Sequence, residues 1–346
     1  MAFRFLRDNA RWLGAGVALS FASSFGQTFF ISLFAGEIMA AYGLTEGEWG
    51  TIYTGATLAS AAVLFQLGRL ADTVPLARLA VMVALAYAGI AAGMALSTSL
   101  WLLPVLVFGL RFCGQGMMSH LSVTAMGRWF RAHRGRAVAI AGLGFSGGEA
   151  VLPAVAVGAI AFLGWRETWL AVAAVLVLLL VPLFLWLLSG GRTPRGQGTE
   201  SGPAPGLGGR HWDRGAVLRH WSFWVLMPAV LTPSFIGTVI FFHPVHIAAV
   251  KGWDLADMAL GYPVYAALTV TSVMTTGWLA DRLGPARLLP AFLLPMAAGI
   301  VLIGPGETVS AWFLAVGFIG VTQGMSQAIW GALWPELYGT RHLGGV

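Results

Sequence analysis

Arg111 and Glu149 each stand in the middle of a long apolar run, so the search for chemistry in this chain begins with them. On membrane-spanning helices they lie roughly 16–18 Å deep at the helical rise per residue. A charge at that depth is costly and marks a functional position with a partner. A guanidinium offers a planar fork of donors that fits a carboxylate, and an embedded carboxylate suits a coupling proton. A second reading pairs Arg111 with Glu149 as a buried ion pair that orders two adjacent helices, and the readings can overlap. Neutral groups extend the pattern: Gln115, Ser119 and Ser122 follow Arg111 along one helical face, Gln323, Ser326, Gln327 and Trp330 form a comparable face late in the chain, and Ser20, Ser24 and Gln27 form a third near its start. Such groups serve solute contact and interhelical hydrogen bonding equally. His243 and His246 have metal-compatible spacing, but no acid or Cys stands beside them, so no metal is expected there. An outer-gate role or a headgroup-level position fits them better. Cys113 is alone and offers neither a disulfide nor a metal cluster. No Gly-rich, Lys-bearing phosphate loop is present, which argues against ATP-driven work. The chain does not read as an enzyme; no cofactor is expected, and proton coupling is the open addition.

The elements that must position these residues are set by composition. With 58% hydrophobic and 10% charged residues, too little polar material exists to cover a water-soluble globule. Ten continuous apolar runs are long enough to cross hydrocarbon, at 12–35, 50–70, 77–97, 100–127, 137–162, 166–188, 221–248, 257–279, 288–304 and 309–334. Continuous rather than alternating hydrophobicity selects helices over barrel strands, so the expected class is an all-α polytopic membrane protein whose main partner is the lipid bilayer. Residues 189–219, rich in Gly and Pro, have linker composition and separate an N-terminal bundle at 1–188 from a C-terminal one at 220–346.

Basic residues fix the expected orientation. Seventeen of the 20 Lys and Arg fall in loops on one side, against Arg166 and Lys251 on the other, and such loops stay cytoplasmic. Both termini are therefore expected inside, in a cell (inner) membrane. The net charge of +6 describes this topology rather than nucleic-acid binding.

The chain also contains the same thing twice. Gly68-Arg-Leu-Ala-Asp72, with Arg78 after it, recurs 209 positions later as Gly277-Trp-Leu-Ala-Asp281, followed by Arg282 and Arg287; Gly109 and Gln115-Gly116-Met117 recur 208 positions later as Gly317 and Gln323-Gly324-Met325. Near-equal offsets indicate a duplicated half. In a membrane protein that points to a transporter with its solute held between the halves.

These motifs carry a resemblance. The two Gly-to-Arg segments resemble the loop two-three and loop eight-nine signature of the major facilitator superfamily. Arg111-Phe-Cys-Gly-Gln-Gly116 resembles its embedded Arg on a Gly-rich helix, and Arg128-Trp-Phe-Arg-Ala-His-Arg-Gly-Arg136, leading into Gly142–Pro153, is similar to its oxalate/formate-like and monocarboxylate-transporter-like branches. The resemblance implies duplicated six-helix bundles that alternate access around a cavity lined by spans one, four, seven and ten. It implies a secondary active transporter of a small organic solute, an anionic carboxylate above all. Arg111 and Glu149 would bind or couple, with Gln27, Gln115, Gln323 and Gln327 on the cavity faces. Gly68, Asp72, Arg78, Gly277, Asp281, Arg282 and Arg287 would form the gating loops. Thr73 and Pro75 depart from the loop signature. The Gly-Pro pair of the superfamily's drug antiporters is missing from Gly142–Gly148, which places drug or metabolite efflux second. If the first half ends near Leu188, its duplicate is expected to end at about residue 397, beyond Val346. The expectation is a fragment with ten of twelve spans, and a non-transporting sensor or inactive remnant is the rival from another class. The solute, the direction of transport and the oligomeric state are left open.

Overall fold

The computed structural model describes residues 2–68, 70–130, 134–189, 206–210 and 212–339; the side chains of residues 2–5, Asp72, Arg134, Gly135, Arg214 and Pro335 lie outside the description. Most of the expected linker, Arg69 and the Asp72 side chain of the first gating loop therefore fall outside it. Every regular element among the described residues is helical. Seven helices are long and apolar enough to cross a membrane, and a pair bent by 45° makes an eighth. The chain divides into two compact units, Met1–Gly198 and Thr199–Val346.

In the first unit, the bent pair is span one, which had been expected to run unbroken over 12–35. Helix Ala2–Ser23 passes into a 3-10 turn at Ser24–Gly26 and an extended Gln27 (φ −81°, ψ 157°), and the chain then resumes as Thr28–Ile31 and, after a second 3-10 turn, Ala35–Tyr42. The cause is local: Ser23-Ser24-Phe25-Gly26 holds poor helix formers, and the Ser23 hydroxyl bonds back to Ser20 O at 2.6 Å, competing with the backbone for its acceptors. Span two, Glu46–Leu67, starts in a Thr45/Glu48 capping box. Span three is Leu76–Leu96. Span four runs through Leu103–Leu110, a π-helical stretch Arg111–Met118 and Ser119–Trp129. Span five is Arg134–Leu163, and span six fills Trp165–Leu188. Span five packs along span one through Gly144 and Gly148: a methyl on either would collide, with Val17 O and Ser24 Oγ respectively. Small residues here let two backbones approach.

In the second unit, span seven is Trp221–Phe242, breaks at His243 and resumes as Pro244–Lys251. Span eight is Leu255–Ala259 with Gly261–Leu283, and span ten is Val309–Tyr338. The helix expected over 288–304 is shorter, a 3-10 turn at Pro285–Leu288 and a ten-residue helix Leu294–Ile303. Pro290 and Pro295 explain it, since each lacks the amide donor that a continuous helix would use, and Pro295 falls in the first turn of the shorter helix, where that loss is tolerated. Spans eight and ten meet closely: a methyl on Gly320 would come within 2.5 Å of Tyr265 O, and one on Gly324 would strike Thr269 O.

The duplication is visible in detail. Ala35–Tyr42 and Pro244–Lys251 both end in a left-handed glycine, Gly43 (φ 65°) and Gly252 (φ 68°), a C-terminal cap that glycine adopts without strain. Thr45 and Asp254 then cap the next helices, which begin at Glu46 and Leu255. Each pair is 209 positions apart.

Candidate functional site

The break in span one exposes backbone carbonyls that a continuous helix would have used internally. Arg111, 4% exposed, fills that need. Its Nη1 donates to Gly26 O at 3.0 Å and to Thr28 Oγ1 at 3.3 Å, and its Nε donates to Thr57 Oγ1 on span two at 3.2 Å. The Tyr53 hydroxyl donates to the same Thr28 Oγ1 at 3.0 Å, and the guanidinium lies 5.2 Å from the centre of the Tyr53 ring. A cation at the end of a half-helix is also favoured by the helix dipole. The carbonyl-bearing break and the π-helical stretch of span four touch through glycine: a methyl on Gly26 would come within 2.9 Å of Gly114 Cα. A π-helical stretch of this kind is frequent at functional sites.

Glu149 is 5% exposed on span five. It follows Gly148, which abuts Ser24, and stands one turn beyond Phe145, whose ring meets Phe29 at 6.0 Å. It therefore lies on the span-five face that packs on the break. The expected ion pair with Arg111 is not formed, whereas Arg7 pairs with Asp8 at the surface. The physical reason is the break, which supplies Arg111 with neutral oxygens closer to hand.

The other expected residues are spread more widely. Gln27 is half-buried at the break itself, while Gln115 is exposed. Ser20 and Ser122 are spent on interhelical bonding, with their hydroxyls 2.9 Å apart and Ser122 donating to Gly16 O at 2.8 Å. In the second unit Gln323 is half-buried and Gln327 exposed. Ile319, 1% exposed, occupies the position equivalent to Arg111. The embedded cation is thus a property of one half. The rings of His243 and His246 are 6.3 Å apart, and no group of metal-binding side chains occurs among the described residues.

At the first of the expected gating loops, span four supplies the contacts. His120 Nε2 lies 3.0 Å from Gly68 O, and Arg128 Nη1 donates to Ala71 O at 2.6 Å; Arg78 is exposed. At the second, Gly277 has open space around it, Asp281 and Arg287 are exposed, and Arg282 stacks 3.9 Å over Trp278. Sequence reasoning missed Gly26, Thr28, Thr57 and Tyr87 around Arg111. The Ser-Ser-Phe-Gly run was the available signal for the break.

Comparison with known proteins agrees with this architecture. The chain resembles a bacterial homologue of the human lysosomal transporter Spinster. To its inward-facing, unoccupied structure it is 17% identical, with a TM-score of 0.68 over 93% of this chain and 74% of that one. To the inward-facing, occupied structure it is 18% identical, with a TM-score of 0.65 over 91% and 73%. At such identities the likeness is one of fold. No curated protein sequence matches. The family model of the Major Facilitator Superfamily matches residues 17–346, and the chain therefore belongs to that superfamily, as a multi-pass membrane transporter and not an enzyme.

Proposed function

We propose that the chain moves a small organic anion, a carboxylate, across an inner membrane by alternating access, with Arg111 as the cation that receives it and Glu149 as the site of a coupled proton. The supporting observation is the use of the Arg111 donors. Nε and Nη1 donate to Thr57, Gly26 and Thr28, and the Tyr53 hydroxyl adds a hydrogen bond to the guanidinium, so these partners are all neutral. A guanidinium held in place by neutral groups keeps its charge uncompensated and is pre-organised for a carboxylate, because little freedom is lost on binding. Glu149, buried without a cation beside it, is suited to taking up and releasing a proton, since charge in hydrocarbon is tolerated when it is neutralised. The orientation belongs to the same proposal, with both termini in the cytoplasm.

Proteoliposome uptake tests it. Saturable uptake of at least one of formate, lactate or oxalate is expected, enhanced by a pH gradient. Arg111→Gln should lower uptake at least tenfold, and Glu149→Gln should leave exchange intact while removing the response to the gradient. Carboxylate uptake that ignores Arg111→Gln would assign Arg111 to holding span one rather than to the solute.

A further inference from the structure

We infer that Tyr87 is a reserve donor, which takes over the Gly26 carbonyl when Arg111 turns to a bound anion; the step rests on the anion-binding reading of Arg111. Tyr87 stands on span three with 0% exposure. Its hydroxyl has no hydrogen-bond partner among the described residues. A buried donor left unmade is costly, and each native case calls for an explanation.

Its position supplies one. A methyl on Gly26 would lie 2.7 Å from Tyr87 Oη, and a methyl on Gly114 would collide with the same oxygen. The hydroxyl thus rests against the junction of the span-one break and the π-helical stretch of span four. Gly26 is the residue whose carbonyl accepts from Arg111 Nη1 at 3.0 Å. If a carboxylate draws the guanidinium toward itself, Gly26 O loses its donor in a region where water is scarce, and a stranded carbonyl there is expensive. A phenolic O–H that lacks an acceptor and touches the same residue removes that penalty with a small rotation. No bond is made or broken except hydrogen bonds, and their number at Gly26 is conserved.

The consequence is a coupling between anion binding and the break. Arg111 fastens Gly26 to span four and, through Thr57, to span two; Tyr87 fastens it to span three. Exchange of donor moves the hold on the broken helix from one neighbour to another, which is the kind of two-arrangement element that a binding event can bias. The second half has Ile319 in place of Arg111, so the exchange belongs to the first unit.

The test uses the full chain in lipid nanodiscs, with Tyr87→Phe, which keeps the ring and deletes the oxygen, compared with the parent protein and Arg111→Gln. Melting is measured without solute, and affinity for oxalate and lactate by calorimetry. Tyr87→Phe should melt at the same temperature as the parent or higher, because the orphaned hydroxyl is gone, yet bind the carboxylate about tenfold more weakly. A lowered melting temperature without solute, or failure of Tyr87→Phe to fold, would mean that the hydroxyl is already used at rest and would overturn the proposal. Parental affinity in Tyr87→Phe with binding lost in Arg111→Gln overturns the exchange and leaves the anion reading standing. No carboxylate binding by the parent overturns both.

Discussion

Gly144 and Gly147 sit three residues apart on span five and have opposite surroundings. A methyl on Gly144 meets the Val17 carbonyl of span one, whereas one on Gly147 meets nothing within 4 Å. Backbone cannot swing away as a side-chain tip can, so Gly144→Ala should force the two helices apart and cost roughly 1–3 kcal/mol, the range for overpacking. Gly147→Ala gains helix propensity with no clash and should stabilise by up to about 1 kcal/mol. Thermal melting in detergent separates them, and equal shifts would refute the close-packing account. Gly144 and Gly148 stand four residues apart, the small-residue spacing that lets helices approach, so this contact is legible in the sequence. The partners of Arg111 were not legible. Opposite charge made Glu149 the natural choice, but the preference of the guanidinium was set by carbonyls that become available where span one breaks, and hydrophobicity along the chain carries no record of which acceptors are free.

At the scale of elements, the two cations that stood against the topology pattern hold helix ends. Arg166 Nη1 donates to Ala95 O and Ser97 O, both at 2.7 Å, and the Tyr42 hydroxyl adds a bond to Ser97 O at 2.9 Å. Lys251 Nζ donates to Gly304 O at 2.5 Å and Gly306 O at 3.2 Å. Ala95 and Gly304 are 209 positions apart, as are Ser97 and Gly306 and also Tyr42 and Lys251. The end of the third helix in each half is therefore capped at equivalent carbonyls from the equivalent residue, and the first half adds Arg166. A cation completes a helix C-terminus both by hydrogen bonding and through the dipole. Since these sites are partly exposed, Lys251→Met should cost about 1 kcal/mol. Arg166→Met should cost no more, because Tyr42 still holds Ser97 O. The double variant Arg166→Met with Tyr42→Phe should lose more than either alone, measured as melting temperatures; strict additivity would mean that the two donors do not share a task. The repeat was readable from the sequence because motif spacing survives divergence. The caps were not, since a Tyr and a Lys at one repeat position share no pattern until the carbonyls they serve are seen.

For the whole molecule, the proposed orientation rests on the basic loops, and the caps sharpen the argument. A bias of seventeen cations to two leaves those two as exceptions. Both spend their donors on carbonyls within their own unit, so their charge serves local structure and carries little weight in deciding which loops remain in the cytoplasm. Cys113, the single cysteine, is buried, which keeps the background low for thiol labelling. Leu207, within the expected linker, and Ser99, between spans three and four, are both exposed. In intact cells a membrane-impermeant maleimide should label Ser99→Cys and leave Leu207→Cys untouched until the membrane is opened. Labelling of Leu207→Cys from outside would invert the molecule. It would also place the Gly68 and Gly277 loops on the outer face, which would remove their assignment as cytoplasmic gates while leaving the superfamily fold and the Arg111 site unchanged.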